Sequence, residues 1–237
     1  MNNDFNPQIL QQQSQTASKT FIAQVFSWMA TALGISGLAA WFFSHDPALL
    51  SMLIGETGLT LFGKIIMFSP LILVFVIGFT LQKGSYALNV GMFLLFSLCM
   101  GISISFIFLI YQLGSIITIF GASAGLFGLM AVLGYTTKTD LTKMGSLLMM
   151  ALLGLVIASV INMFIGSSTM SYITSCIAVI IFTGLTAYDM QKIKDYSMQV
   201  VPGSQSSLKA SLSAALELYL DFINIFLALL RIFGDRK

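Results

Sequence analysis

Residues 211–233 read SLSAALELYLDFINIFLALLRIF, an apolar run that nonetheless carries Glu217, Asp221, Asn224 and Arg231. A helix crossing a bilayer needs about 20 mostly apolar residues, so the run is long enough to span. An ionised side chain at mid-bilayer costs about 2.5–3.5 kcal/mol on insertion scales. A helix of this composition is therefore expected in the middle of a bundle, wrapped by other helices. Glu217, Asp221 and Asn224 follow i, i+4, i+7 spacing and share one helical face. That face needs partners or water.

The rest of the chain supplies the wrapping. Its 237 residues are 57% hydrophobic and 8% charged, with a net charge of +2 and a mean hydropathy of +0.93. Soluble domains carry about 25% charged residues, so this composition excludes a water-soluble enzyme, a disordered protein and a nucleic-acid partner. Six further apolar stretches precede the first: Phe21–Phe43, Leu61–Leu81, Tyr86–Ile110, Gly114–Tyr135, Ser146–Ile165 and Tyr172–Met190. They lack the alternating polarity of barrel strands, and helices satisfy their own backbone in lipid. The fold class is all-α, a polytopic membrane protein of seven transmembrane helices with the seventh central. Residues 1–20 read as a disordered cytoplasmic tail, 21–234 as the membrane domain and 235–237 as a short tail. The Gln-rich start has no apolar core, so no cleavable signal peptide is expected.

Lys83, Lys138, Lys143, Lys192, Lys194 and Lys209 fall on one side of the seven spans, with Lys64 on the other. The positive-inside rule makes the lysine-rich side cytoplasmic, with the amino terminus. Arg231, Arg236 and Lys237 at the opposite end run against that rule. The small-residue series Gly121-x3-Gly125 with Gly128, Ser97-x3-Gly101-x3-Ser105 and Ala30-x3-Gly34 predict close helix packing. Pro70, inside the second span, predicts a packing adjustment. Cys99 and Cys176 have no disulfide or zinc spacing. His45 stands alone in a loop that also carries Asp46 and Glu56, and Trp41 suits an interfacial position.

Asp189 ends the sixth span, and Asp221 lies inside the seventh. A short connection with a Pro202-Gly203 turn makes these helices antiparallel neighbours, so the two acids come within reach, with Glu217 between them in depth. Two carboxyls in a low-dielectric site do not both ionise cheaply, and a shared proton is expected. The deprotonated pair offers hard oxygen ligands of the kind calcium takes. The alternative pairs Asp189 with Lys192.

The stretch FTGLTAYDMQKIK, residues 182–194, resembles the sixth-helix signature of the Bax inhibitor family, the transmembrane Bax-inhibitor-motif proteins. LYLDFINIF (218–226) with LLRIFG (229–234) resembles its seventh helix, and GYTTKTDL (134–141) its fourth-loop motif. The match is to the bacterial branch and covers residues 20–234. The resemblance implies a pH-sensitive calcium leak in the bacterial inner membrane. It implies an aspartate pair as pH sensor and gate, at Asp189 and Asp221, which also meet transient calcium. Glu217 and Asn224 are the candidate cation-lining residues. The family's latch, an arginine near the end of helix two, has no counterpart in FTLQK (79–83), where Lys83 stands nearest without the bidentate fork.

Calcium enters this reading as the permeant ion; no cofactor is expected, and the partners are the bilayer and calcium. An alternative is a regulatory protein that modulates a membrane-anchored ATP-dependent protease. An intramembrane aspartyl protease is disfavoured, because Tyr188-Asp189 fits half of its signature but Tyr219-Leu220 stands where Gly-x-Gly is needed before Asp221. The chain is therefore not expected to be an enzyme. A proton-coupled transporter lacks an internal repeat or broken helix to support it.

Overall fold

The computed structural model describes residues 7–55, 58–201 and 203–237, with side chains from residue 16 onward. Nine helices appear among them: α1 (Pro7–His45), α2 (Pro47–Leu53), α3 (Leu61–Lys83), α4 (Tyr86–Ile104), α5 (Ile107–Ile110), α6 (Leu113–Thr136), α7 (Thr142–Ile165), α8 (Ser168–Ser197) and α9 (Gln205–Phe233). α1, α3, α4 with α5, α6, α7, α8 and α9 supply seven segments long and apolar enough to span a membrane. The protein is a polytopic all-α membrane protein.

α9 is the centre of the bundle. Within its membrane window 67% of residues are buried, against 6% for α7 and at most 39% elsewhere. It contacts α8, α1, α6 and α4, while α3 packs on α4 and α7 on α8. The expected ring of six around the last helix is thus an inner ring of four with two helices outside it. The inner helices bury narrow stripes. On α1 Ser18, Phe21, Val25, Met29, Ala32, Ser36 and Ala39 are buried, with Ala40 beside the last, a spacing of three and four that keeps one face on the core. Phe120 of α6 sets its ring edge-on to Phe222 and Phe226 of α9.

Polar atoms in this interior find one another. The Ser36 hydroxyl lies 2.7 Å from the Ser97 carbonyl and 2.7 Å from the Tyr219 hydroxyl, joining α1, α4 and α9 at mid-depth. Ser36 and Ser97 come close because Gly101 lets the α1 backbone in: a Cβ there would overlap the Ser36 carbonyl oxygen. The Ser97–Gly101–Ser105 series therefore packs as expected. The other two series do not. A Cβ on Gly34, Gly121, Gly125 or Gly128 would meet open space, and Ala30, Gly34, Gly121 and Gly125 are exposed. Where every residue of a span is apolar, small-residue spacing does not say which face meets protein and which meets lipid.

Several boundaries differ from the sequence reading. α1 starts at Pro7, so residues 7–20 continue the first helix instead of forming a disordered tail; Pro suits a first helical position and glutamine is a good helix former. Residues 1–6, Glu56 and Pro202 lie outside the described residues. α8 runs on to Ser197 and α9 begins at Gln205, because the Lys- and Gln-containing flank of α8 favours helix once it leaves the hydrocarbon and Ser204 caps the start of α9. The third span is interrupted at Ser105 and Phe106, where Ser105 N–H bonds the Ile102 carbonyl in a tighter turn. The loop after the first span is built, with Asp46 capping α2 and a short hairpin pairing Ile54 with Leu59. α3 passes Pro70 without a break, and Pro70 is buried. Cys99 and Cys176 are free and half-buried.

Gly101→Ala is expected to push α1 from α4 and lower stability by about 1–3 kcal/mol, read as a lower thermal midpoint in detergent. Gly121→Ala is expected to stay within about 0.5 kcal/mol of the parent. Equal effects of the two changes would contradict this arrangement of the bundle.

Candidate functional site

α8 and α9 run antiparallel, with Lys192 beside Glu217 at one end and Ser175 beside Arg231 at the other. The first is the lysine-rich end, where Ser18 of α1 also meets Ser197 of α8 at 2.6 Å. Between the two ends the carboxyl groups of Asp189 and Asp221 meet within hydrogen-bond reach, with the Thr186 hydroxyl beside Asp221. Asp221 is 4% exposed, and its Oδ2 is buried with no donor. The helix extensions put both acids inside their helices. Asp189 lies about 12 Å from the last residue of α8, and Asp221 about 24 Å along α9 from its start, at 1.5 Å per residue. Asp189 therefore does not end its span; it faces inward two turns before the helix stops.

Glu217 lies one turn from Asp221 toward the lysine-rich end, and its Oε2 accepts a hydrogen bond from Lys192 at 2.9 Å. The pair lines a cleft of about 260 Å³ between α1, α8 and α9 with Phe21, Tyr196 and Ser213. The alternative partner for Asp189 is thus engaged by Glu217, although its charge is felt at Asp189. Both side chains are more than a third exposed, so solvent screening leaves such a pair about 1 kcal/mol at most. Asn224 points elsewhere. Its amide donates to the Leu220 carbonyl at 2.8 Å, and it lines a separate crevice with Arg231. Lys83 is exposed in the last turn of α3. Among the described residues it makes no ion pair, and it is not among the groups acting on Asp221.

Sequence reasoning missed the clamp that holds this region. Gln191 of α8 accepts from the Leu141 N–H at 2.8 Å and donates to the Thr139 carbonyl at 2.9 Å. Lys194 donates to the Tyr135 carbonyl at 2.7 Å and lies over the Tyr135 ring. One turn away, a Cβ on Gly134 would overlap the Ala187 carbonyl oxygen, so α6 and α8 touch backbone to backbone. The 134–141 and 182–194 stretches, 50 residues apart, are two halves of one joint. Next to it Asp140 accepts from the Thr142 N–H at 2.9 Å at the start of α7. The Thr142 hydroxyl and N–H hold its carboxyl below the usual carboxylate range. This Asx turn is thus complete at neutral pH and is lost only as pH falls through that lowered value.

A family model described as "Inhibitor of apoptosis-promoting Bax1" matches residues 18–237. The chain belongs to the Bax inhibitor family. Its bacterial relatives include "Inner membrane protein YbhL" of Escherichia coli (strain K12), 41% identical over 226 residues and covering 95% of each chain. A protein of Borreliella burgdorferi is 42% identical over 217 residues, 92% of each chain. A membrane protein of Streptococcus pyogenes serotype M1 is 36% identical over 231 residues, 97% of this chain and 98% of the relative. The Bax inhibitor match spans the α6–α8 joint, the aspartate pair and the central helix together.

In this Bax inhibitor chain, Gln191→Ala removes two hydrogen bonds from the 137–141 segment. The Leu141 amide is expected to exchange with deuterium about tenfold faster, with exchange in α4 unchanged. Asp221→Asn keeps the shape and supplies a donor to the Asp189 carboxyl. It is expected to be at least as heat-stable as the parent at pH 8; a large loss would show that the two acids do not face each other.

Proposed function

We propose that the protein is a pH-sensitive cation leak of the inner membrane, with calcium as a permeant ion and the Asp189–Asp221 pair as its proton-operated gate. The observation that carries the reading is the meeting of these carboxyls at mid-bundle, with Asp221 Oδ2 buried and without a donor. A proton shared between them turns like-charge repulsion into an O–H···O hydrogen bond. In that state α8 and α9 are held together. Loss of the proton sets two negative oxygens against each other in a low-dielectric site. The helices then either separate or recruit a cation. Protonation thus shifts the balance between closed and conducting arrangements by its differential interaction with each.

The remaining charges fit the reading. Lysines concentrate at the end where α1 begins, which supports a cytoplasmic amino terminus. A cation entering from that end meets Glu217, already held by Lys192, before it reaches the pair. Among the described residues no group of three or more His, Cys, Asp or Glu side chains is placed to hold a metal. Calcium prefers six to eight oxygens, so two carboxyls suit passage better than residence. The reading assigns the dyad to gating, and the chain is not proposed as an enzyme.

The test is calcium flux into dye-loaded liposomes, titrated from pH 5.5 to 8.5. The wild type is expected to show pH-dependent flux. In Asp189→Asn and Asp221→Asn the dependence is expected to flatten, with both variants still folded. Flux without pH dependence in the wild type, or an unchanged profile in both variants, would overturn the assignment.

A further inference from the structure

At the carboxyl-terminal end of the bundle a crevice of about 390 Å³ opens between α7, α8 and α9. Arg231 stands at its mouth, exposed, with Nη1 3.4 Å from the Ser175 hydroxyl. Among the described residues no carboxylate lies within ion-pair distance of this guanidinium. Thr174 and Ser175 line the same level, seven and eight positions into α8. Deeper in, the walls become mostly apolar: Leu152, Leu155 and Phe182 close the crevice, with Ser159 and Asn224 as the polar exceptions. Arg231 and Asn224 are seven residues apart, about 10 Å along the helix. Polarity therefore falls from the membrane boundary toward the middle over the length of a lipid's head and glycerol region.

We propose that this crevice is a binding site for an anionic phospholipid, with its phosphate on Arg231 and its upper acyl chain against Leu152, Leu155 and Phe182. The polarity gradient selects this occupant. A cation is repelled by Arg231. A soluble anion gains nothing from the apolar floor. A neutral helix from a partner leaves the guanidinium unpaired. Arginine holds a phosphate through two parallel N–H donors, and the Asn224 amide has a second N–H beyond the one given to Leu220. The volume lies within the range of small-ligand sites, about 300–1,000 Å³. It accommodates the head and first methylenes and leaves the tails in the bilayer. A bound anion also offsets the basic residues that stand at this end against the charge rule. The proposal is independent of the proton-gate reading, since Arg231 and Asn224 are not among the groups that act on either aspartate.

The test is native mass spectrometry of the full-length protein in detergent, with phosphatidylglycerol and phosphatidylcholine supplied in equal amounts. The wild type is expected to retain phosphatidylglycerol preferentially. Arg231→Gln is expected to lower that retention about tenfold, the loss of one charge-assisted contact. Lys64→Gln, a basic residue at the same end but on α3, is expected to change nothing. Ala178→Phe fills the crevice below an intact Arg231 and is expected to abolish the preference, which decides the matter even if the arginine variant fails to fold. Equal retention of both lipids by the wild type would overturn the proposal. So would an unaffected Arg231→Gln or Ala178→Phe, or a loss in Lys64→Gln as large as that in Arg231→Gln. Release of the lipid by millimolar inorganic phosphate would assign the site to a soluble anion instead.

Discussion

A polar atom in hydrocarbon has no water to turn to, and that constraint shapes the whole molecule. The last helix carries a glutamate, an aspartate, an asparagine, a tyrosine and an arginine, and its stability in a bilayer depends on other helices answering them. Neighbours on α1 and α8 answer most of them, while Asn224 bonds the Leu220 carbonyl of its own helix. Ser36, which also bonds the Ser97 carbonyl, meets the Tyr219 hydroxyl, Asp189 meets Asp221, and Lys192 meets Glu217. The outer helices α3 and α7 have little polarity to satisfy and remain largely exposed to lipid. Burial follows the distribution of charge along the chain more closely than it follows hydrophobicity.

The same constraint sorts the acids by environment. Glu217 is half-exposed and finds a lysine near the boundary, where the pairing contributes little to stability. Asp221 is enclosed and finds only another carboxyl and a hydroxyl. Two acids one helical turn apart on one helix thus meet opposite company. The deeper one faces a second carboxyl in the bundle interior, and the shallower one belongs to an ordinary interfacial pair.

Much of this was legible before any coordinates. Seven spans follow from run length, and the centrality of the last follows from Glu217, Asp221 and Asn224, because no lipid-facing helix tolerates them. The meeting of Asp189 with Asp221 follows from antiparallel neighbours joined by a short turn. Other features were not legible, for physical reasons. Helix ends overran the apolar runs because lysine and glutamine still favour helix in the interface, which moved Asp189 from an end to an interior position. The face used by Gly121 and Gly125 could not be read, since hydrophobic periodicity vanishes when every position is apolar. Lys192 and Lys194 looked like orientation signals; that one binds Glu217 and the other Tyr135 depends on where α8 rotates its last turns. Gln191, polar and uncharged, offered no signal beyond its place in the 182–194 stretch.

The joint between Gln191 and the 137–141 segment has a mechanical corollary. Gln191 is two residues from Asp189 on one rigid helix, and its side chain is bolted to the backbone that links α6 with α7. A screw or tilt of α8 large enough to part the two acids must drag that linker or tear it loose. Under the proposed gating, the lysine-rich rim would act as a lever arm, turning an event hidden in the greasy interior into a change of shape at the water's edge.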